Sequence, residues 1–169
     1  MSQTATPRTA AKAAAKAAAK SASTTKPAYD VGDFLCFAIY SAGHAFNRVY
    51  KPLLDALGLT YPQYLVMVAL WTEDDQTVGT LGDKLFLESS TLTPLLKRLE
   101  ALGLVGRSRD PADERQVRVR LTETGAGLSQ KARDVPQCLL AASGMSLETL
   151  RRLQGQISTL RDNLLKSTG

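Results

Sequence analysis

The chain has 169 residues, of which 44% are apolar, enough for one buried core plus something short. No apolar run approaches bilayer length, so a membrane-spanning helix is excluded and a soluble, cytoplasmic protein is expected. Two cysteines about a hundred residues apart and one histidine assemble neither a zinc site nor an acyl-transfer triad. No metal, no cofactor and no catalytic set is therefore expected.

The net charge of +5 is concentrated at one end. Arg8, Lys12, Lys16, Lys20 and Lys26 are the only charges before Asp30; removing these five of the 21 cations leaves sixteen against 16 acids. Residues 1–29 therefore read as a basic tail with a repeating AAAK and no apolar side chain large enough to pack until its end. Such a tail is expected to be disordered or a fraying helix, lying along DNA phosphates or simply solubilising the domain. It lacks the apolar region of a secretory signal, and its lysines in place of arginines argue against an organelle transit peptide.

Residues 30–169 read as one domain. Asp30 to Asp33 offers capping residues for a long apolar-rich helix carrying Phe34, Leu35, Phe37, Ile39, Phe46 and Val49. Cys36 stands near its start, where the helix dipole favours a thiolate; the bland alternative is a small inert hydrophobe. Tyr40 and Tyr50 fall on nearly the same helical face as Cys36. Tyr40 is one turn away, whereas Tyr50 is about 21 Å further along a straight helix and reaches a Cys36 thiol only across a dimer or after a kink. A third phenol, Tyr61, opens the next helix. Phenols converging on one sulfur stabilise its anion by hydrogen bonding. His44 has no companion ligands and reads as structural or surface.

Pro52 is expected to bend or restart the first helix, and Gly58 to end the short helix that follows. Pro62 suits the first turn of a core helix with Tyr64, Leu65, Met67, Val68, Leu70 and Trp71. Glu73-Asp74-Asp75 reads as a solvated turn, not paired-carboxylate catalysis.

From Leu81 to Thr122 the pattern is two short helices, a hinge and a charged hairpin. Leu81 to Leu87 is the first helix, and Glu88-Ser89-Ser90 supplies the turn and cap of the second. There Leu92, Leu95, Leu96, Leu99 and Leu102 face a core, while Ser90, Pro94, Lys97 and Arg98 lie opposite. Pro94 predicts a bend or a later start at Thr91 or Thr93. Beyond Gly103 and Gly106 the period becomes that of strands: Leu104 to Arg109, a polar tip at 110–115, then Val117, Val119 and Leu121 alternating with Gln116, Arg118 and Arg120. From Lys97 to Arg120 there are seven cations against four acids. This modest excess calls for two copies, or cations elsewhere, to hold duplex DNA tightly.

Thr122 is expected to cap a helix through Leu128, Ala132 and Val135, interrupted at Pro136 and followed by Cys138. Ser146 opens a last helix whose Leu147, Leu150, Leu153, Ile157, Leu160 and Leu164 form one apolar seam. Together with the first helix, that seam suits a dimer interface.

TLTPLLKRLEALGLV at 91–105 and DERQVRVRLTETG at 113–125 resemble the winged helix-turn-helix of MarR-type repressors, over roughly Asp30 to Leu165. LCFAIYSAGHAFNRVYKPLLDALGLTYPQYL at 35–65 resembles the sensing segment of their organic hydroperoxide branch, the OhrR type. The implied fold is mainly α with a small β wing: a DNA-binding lobe at about 61–122 between dimerisation helices at about 30–58 and 123–167. The resemblance implies a homodimer placing the helix near Ser89 to Leu102 in a major groove, with Ser89, Ser90, Thr91, Thr93, Pro94, Lys97 and Arg98 at the DNA. It implies further that Arg115 enters the minor groove with Asp113 holding its guanidinium, a groove whose potential favours arginine.

It also implies that Cys36 is the peroxidatic cysteine, hydrogen-bonded by Tyr50 and Tyr61 from the other subunit, with Tyr40 in a less defined role. Cys138 would be the resolving cysteine of the two-cysteine subgroup, on the opposite subunit. The expected function is a repressor that holds a pseudo-palindromic operator when reduced and releases it when organic hydroperoxide oxidises Cys36. Its rivals are a MarR-type repressor released by a small aromatic ligand and a thiol peroxidase; the latter lacks the arginine-supported constellation expected around its cysteine.

Overall fold

The computed structural model describes residues 30–168, so the basic tail lies outside the described residues. The chain divides into two units, residues 1–41 and 42–169. In the first, Asp30 Oδ1 accepts the Gly32 N–H at 2.9 Å and caps a 3-10 turn, Val31–Asp33, ahead of helix α1 (Leu35–Asp55). The remainder of α1 belongs to the second unit, with everything that follows.

Helix α1 runs through Pro52 without a restart. Pro52 lies in the last turn, where its missing N–H removes one bond and no long segment has to continue past it. The helix closes at Gly58, with the Leu59 N–H on the Leu54 carbonyl at 3.0 Å. Helix α2 (Tyr61–Thr72) then starts as anticipated, with Pro62 in its first turn and the Thr60 N–H donating to Gln63 Oε1 at 2.8 Å. It buries Tyr64, Val66, Met67 and Leu70.

Strand β1 (Gln76–Thr77) was not expected, because two residues carry no readable alternation. Thr77 caps helix α3 (Val78–Leu85), its Oγ1 accepting the Thr80 N–H at 3.1 Å. Helix α4 (Ser89–Ala101) passes unbroken through Pro94, so the later start anticipated at Thr91 or Thr93 does not occur. Leu92, Leu96 and Leu99 are fully buried and Leu95 is half-buried. Leu102 is 51% exposed: it caps α4 and does not extend the core stripe.

Gly103, at φ +70°, turns the chain from α4 into β2 (Val105–Arg109), a conformation an L side chain resists. β2 pairs antiparallel with β3 (Val117–Leu121), and β3 with β1, giving the order β1-β3-β2 with Val119 opposite both Arg107 and Gln76. Thr122 caps helix α5 (Glu123–Ala132) by accepting the Gly125 N–H at 3.0 Å. Pro136 opens helix α6 (Val135–Ser143) and does not interrupt α5, so Val135 belongs to the later helix. Ser146 precedes helix α7 (Leu147–Thr168), its Oγ accepting the Thr149 N–H at 3.2 Å.

The buried core draws on the end of α1, on α2, α3, α4 and the sheet, and on Ala132 and Val135. Helix α7 contributes no buried residue; Leu147, Leu153, Ile157 and Leu164 stand exposed along it. Among the described residues no helix is long and apolar enough to cross a membrane.

Candidate functional site

The sequence singles out two sets of residues, a DNA-reading face and a group of cysteines and tyrosines. For the first, burial of Leu92, Leu96 and Leu99 fixes the rotation of α4 and turns Ser89, Ser90, Thr91, Pro94, Lys97 and Arg98 outward, all exposed. Each of those leucines is worth about 2–5 kcal/mol against alanine, so the outward face is firmly set. Thr93 is half-buried and lines a groove of about 310 Å³ together with Arg107, Arg115 and Gln116, between α4 and the hairpin.

The hairpin tip is built by its own acids. The Asp110 N–H donates to the Gln116 carbonyl at 2.9 Å, and Asp110 Oδ1 accepts the Ala112 N–H at 2.8 Å. Asp113 was expected to hold the Arg115 guanidinium. Instead its Oδ1 accepts the Arg115 backbone N–H at 3.0 Å and its Oδ2 the Gln116 amide at 3.1 Å, which shapes the turn and leaves the guanidinium exposed.

Of the seven cations between Lys97 and Arg120, three are engaged within the chain. Arg107 Nε donates to Glu100 Oε2 at 2.9 Å. Arg118 donates to Asp75 Oδ1 at 2.6 Å and to Asp110 Oδ2 at 2.8 Å, and Arg120 Nε lies 2.9 Å from Asp75 Oδ1. The hydrogen bonds from Arg118 hold both the Asp75 and Asp110 carboxyls below the usual carboxylate range, and Arg107 does the same for Glu100. Among the described residues Lys97, Arg98, Arg109 and Arg115 form no ion pair, which leaves four cations for phosphate.

Asp74 and Asp75 are therefore partners of strand β3 that sequence reasoning missed. The turn expected to be merely solvated carries Asp75 at φ +56°, and Asp74 Oδ1 accepts the Leu121 N–H at 2.8 Å. Only the separation of 43 residues between Asp75 and Arg118 concealed the pairing.

At the second site, Tyr50 on α1 and Tyr61 on α2 come together with ring centroids 4.8 Å apart, and Tyr64 lies 6.0 Å from Tyr50. Burial pushes the Tyr50 phenol up to about 12, helped by the neighbouring Tyr61 and Tyr64; burial also raises Tyr61 and Tyr64. These phenols stay protonated, as donors, throughout the neutral range. Cys36 is exposed and free in the first turn of α1, in the first unit. Tyr40 follows one turn later, 64% exposed, with its ring 6.4 Å from that of Phe37. Cys138, on α6 in the second unit, is likewise exposed and free, and His44 is exposed on α1. Among the described residues no three His, Cys, Asp or Glu side chains gather as metal ligands.

Comparison with known proteins places these features in company. The transcriptional regulator family SarA/Rot matches residues 48–132. The chain is 50% identical over 135 residues to the HTH-type transcriptional regulator TtmR of Methylorubrum extorquens, across 80% of this chain and 69% of that protein. It is 46% identical over 130 residues to the organic hydroperoxide resistance transcriptional regulator of Bacillus subtilis, across 77% of this chain and 88% of that one. Among solved structures, reduced AbfR bound to DNA, a protein of Staphylococcus epidermidis, superposes with a TM-score of 0.65 at 35% identity, covering 78% of this chain and 91% of its own.

Proposed function

Because the chain belongs to the SarA/Rot family of winged-helix transcriptional regulators, we propose that it is a homodimeric repressor that binds pseudo-palindromic operator DNA when reduced and releases it when organic hydroperoxide oxidises Cys36. The Bacillus subtilis relative is named for organic hydroperoxide resistance, and the AbfR structure is of a reduced protein on DNA.

The observation that carries the redox half is the tyrosine pair. Tyr50 and Tyr61 hold their protons in a chain whose two cysteines are both free and exposed, so the hydroxyls are standing donors for a thiolate. In the proposed dimer, Cys36 of one subunit meets Tyr50 and Tyr61 of the other. The Cys36 thiolate attacks the distal oxygen of the hydroperoxide, the O–O bond breaks, and the alcohol leaves after taking a proton. The resulting sulfenic acid condenses with the Cys138 thiol of the partner subunit, forming a disulfide and releasing water. The phenols lose the thiolate they held, the dimer arms shift, and the two α4 helices leave the spacing of about 34 Å set by one turn of DNA.

The exposed leucines of α7 and the exposed apolar residues Phe34, Leu35, Phe37 and Phe46 support the dimer, since such faces seek a partner. On DNA, α4 would enter the major groove through Ser89, Ser90, Thr91, Thr93, Pro94, Lys97 and Arg98, with Arg115 in the minor groove.

The test is a mobility shift and a non-reducing gel on the same sample, titrated with cumene hydroperoxide and then dithiothreitol. The probe is a duplex selected from a random-sequence pool against the reduced protein. Wild type should release the duplex as the disulfide band appears and recover with dithiothreitol; Cys36→Ser should bind and ignore the oxidant. Release by Cys36→Ser at the wild-type dose would sink the thiol switch.

A further inference from the structure

The basic hairpin invites the reading that every arginine on it serves phosphate. Its geometry contradicts this for Arg118 and Arg120. Arg118 is held on three sides: Nε donates to Asp75 Oδ1 at 2.6 Å, Nη2 to the Asp75 carbonyl, and Nη1 to Asp110 Oδ2 at 2.8 Å. Asp110 is only 8% exposed and starts the tip that carries Arg115, while Asp75 lies in the turn between α2 and β1. One guanidinium thus ties the first residue of the tip to the turn that leads into β1. Arg120 and the Asp74–Leu121 hydrogen bond fasten the same strand to the same turn.

We propose that Asp75, Arg118 and Asp110 form a clamp that positions the wing for DNA, with Arg118 and both acids acting through Arg115 and touching no phosphate themselves. The planar fork of arginine fits two carboxylates at once, which a lysine cannot do. Without the clamp the base of the wing is still held by β1, by its own ladder and by the Arg107–Glu100 pair, but the tip loses its tie to the lobe and the exposed guanidinium of Arg115 samples many positions. Fixing it in advance removes that ordering cost from binding.

The inference rests on the reading of Arg115 as the wing's DNA contact, and the experiment separates the two. Affinity for the selected duplex is measured in the full-length reduced protein, well below the melting temperature, for Arg115→Ala, Asp110→Asn, Asp75→Asn, Arg118→Lys and the double variant Arg118→Lys/Arg115→Ala. Simple charge counting predicts that removing an acid beside DNA tightens binding. The clamp predicts the reverse, with Asp110→Asn and Asp75→Asn each about tenfold weaker. Arg118→Lys keeps the charge and should weaken binding to a similar degree, with little further loss in the Arg115→Ala background. Tighter or unchanged binding by both acid variants overturns the clamp, as does full additivity in the double variant. An Arg115→Ala protein that binds like wild type overturns the underlying reading of the wing instead. The two acid variants differ in burial, so if one fails to fold the other still decides the sign.

Discussion

The indole N–H of Trp71 donates to the carbonyl of Gly125 at 2.9 Å, joining α2 to the first turn of α5 across 54 residues. Gly125 also packs directly on the 104 backbone because it has no side chain: a Cβ there would lie 1.9 Å from the Leu104 carbonyl oxygen. Helix α5 is thereby pinned where α4 gives way to β2, the junction that orients reader and wing together.

Gly125→Ala should therefore displace α5 or the 103–105 backbone. Overpacking against main chain costs about 3 kcal/mol or more, which lowers the melting temperature by roughly 10 °C in a domain of this size. Differential scanning calorimetry reads this directly, and a shift under about 2 °C would contradict the packing described.

Helix α7 carries Leu153 at 39% and Ile157 at 44% exposure, one turn apart. Leu153→Asp/Ile157→Asp should leave the fold of the reading lobe intact by circular dichroism. It should convert the proposed dimer to a monomer in sedimentation and weaken operator binding at least a hundredfold, because one half-site would then bind alone. A variant that remains dimeric would move the interface elsewhere.

In Cys138→Ser the sulfenic acid at Cys36 would have no second thiol to meet. After one equivalent of hydroperoxide, dimedone should label Cys36 in this variant and label little of the wild type, and no disulfide should appear on a non-reducing gel. A wild-type disulfide band in Cys138→Ser would remove Cys138 from the resolving role.

Tyr50 provides a pH signature. Its folded value of about 12 exceeds the ordinary 10.0, with burial the leading cause. The folded state thus holds a proton that the unfolded chain releases, so this contribution to stability is complete below pH 10 and is lost as pH rises through 12. Alkaline unfolding followed at the tyrosinate absorbance should be shallower for Tyr50→Phe across that window. An unchanged slope would place the burial effect on other tyrosines.

Much of the reading lobe was legible because local rules sufficed. The leucine period of α4 fixed its outward residues, the alternation of β3 fixed the wing, and Thr77, Thr122 and Pro62 behave as helix-start residues should. The errors arose where a local signal was ambiguous. The sequence reads Pro52 as a bend or restart, Pro94 as a bend or later start and Pro136 as an interruption, yet the first lies in a last turn, the second one turn into an unbroken helix, and the third in a first turn. Position within the helix decides what a proline costs.

By itself the sequence determined which residues face inward, where the reader and wing lie, and that the tail carries the net charge. Tertiary structure alone decided that Asp75 and Arg118 meet, that Asp113 shapes a backbone turn and leaves the Arg115 guanidinium exposed, and that Tyr50 and Tyr61 share one half-buried patch. Periodicity arises from neighbours a few residues apart and is written into any short window. An ion pair across 43 residues depends on β1 pairing with β3, which brings the turn beside Arg118, and no local pattern records that.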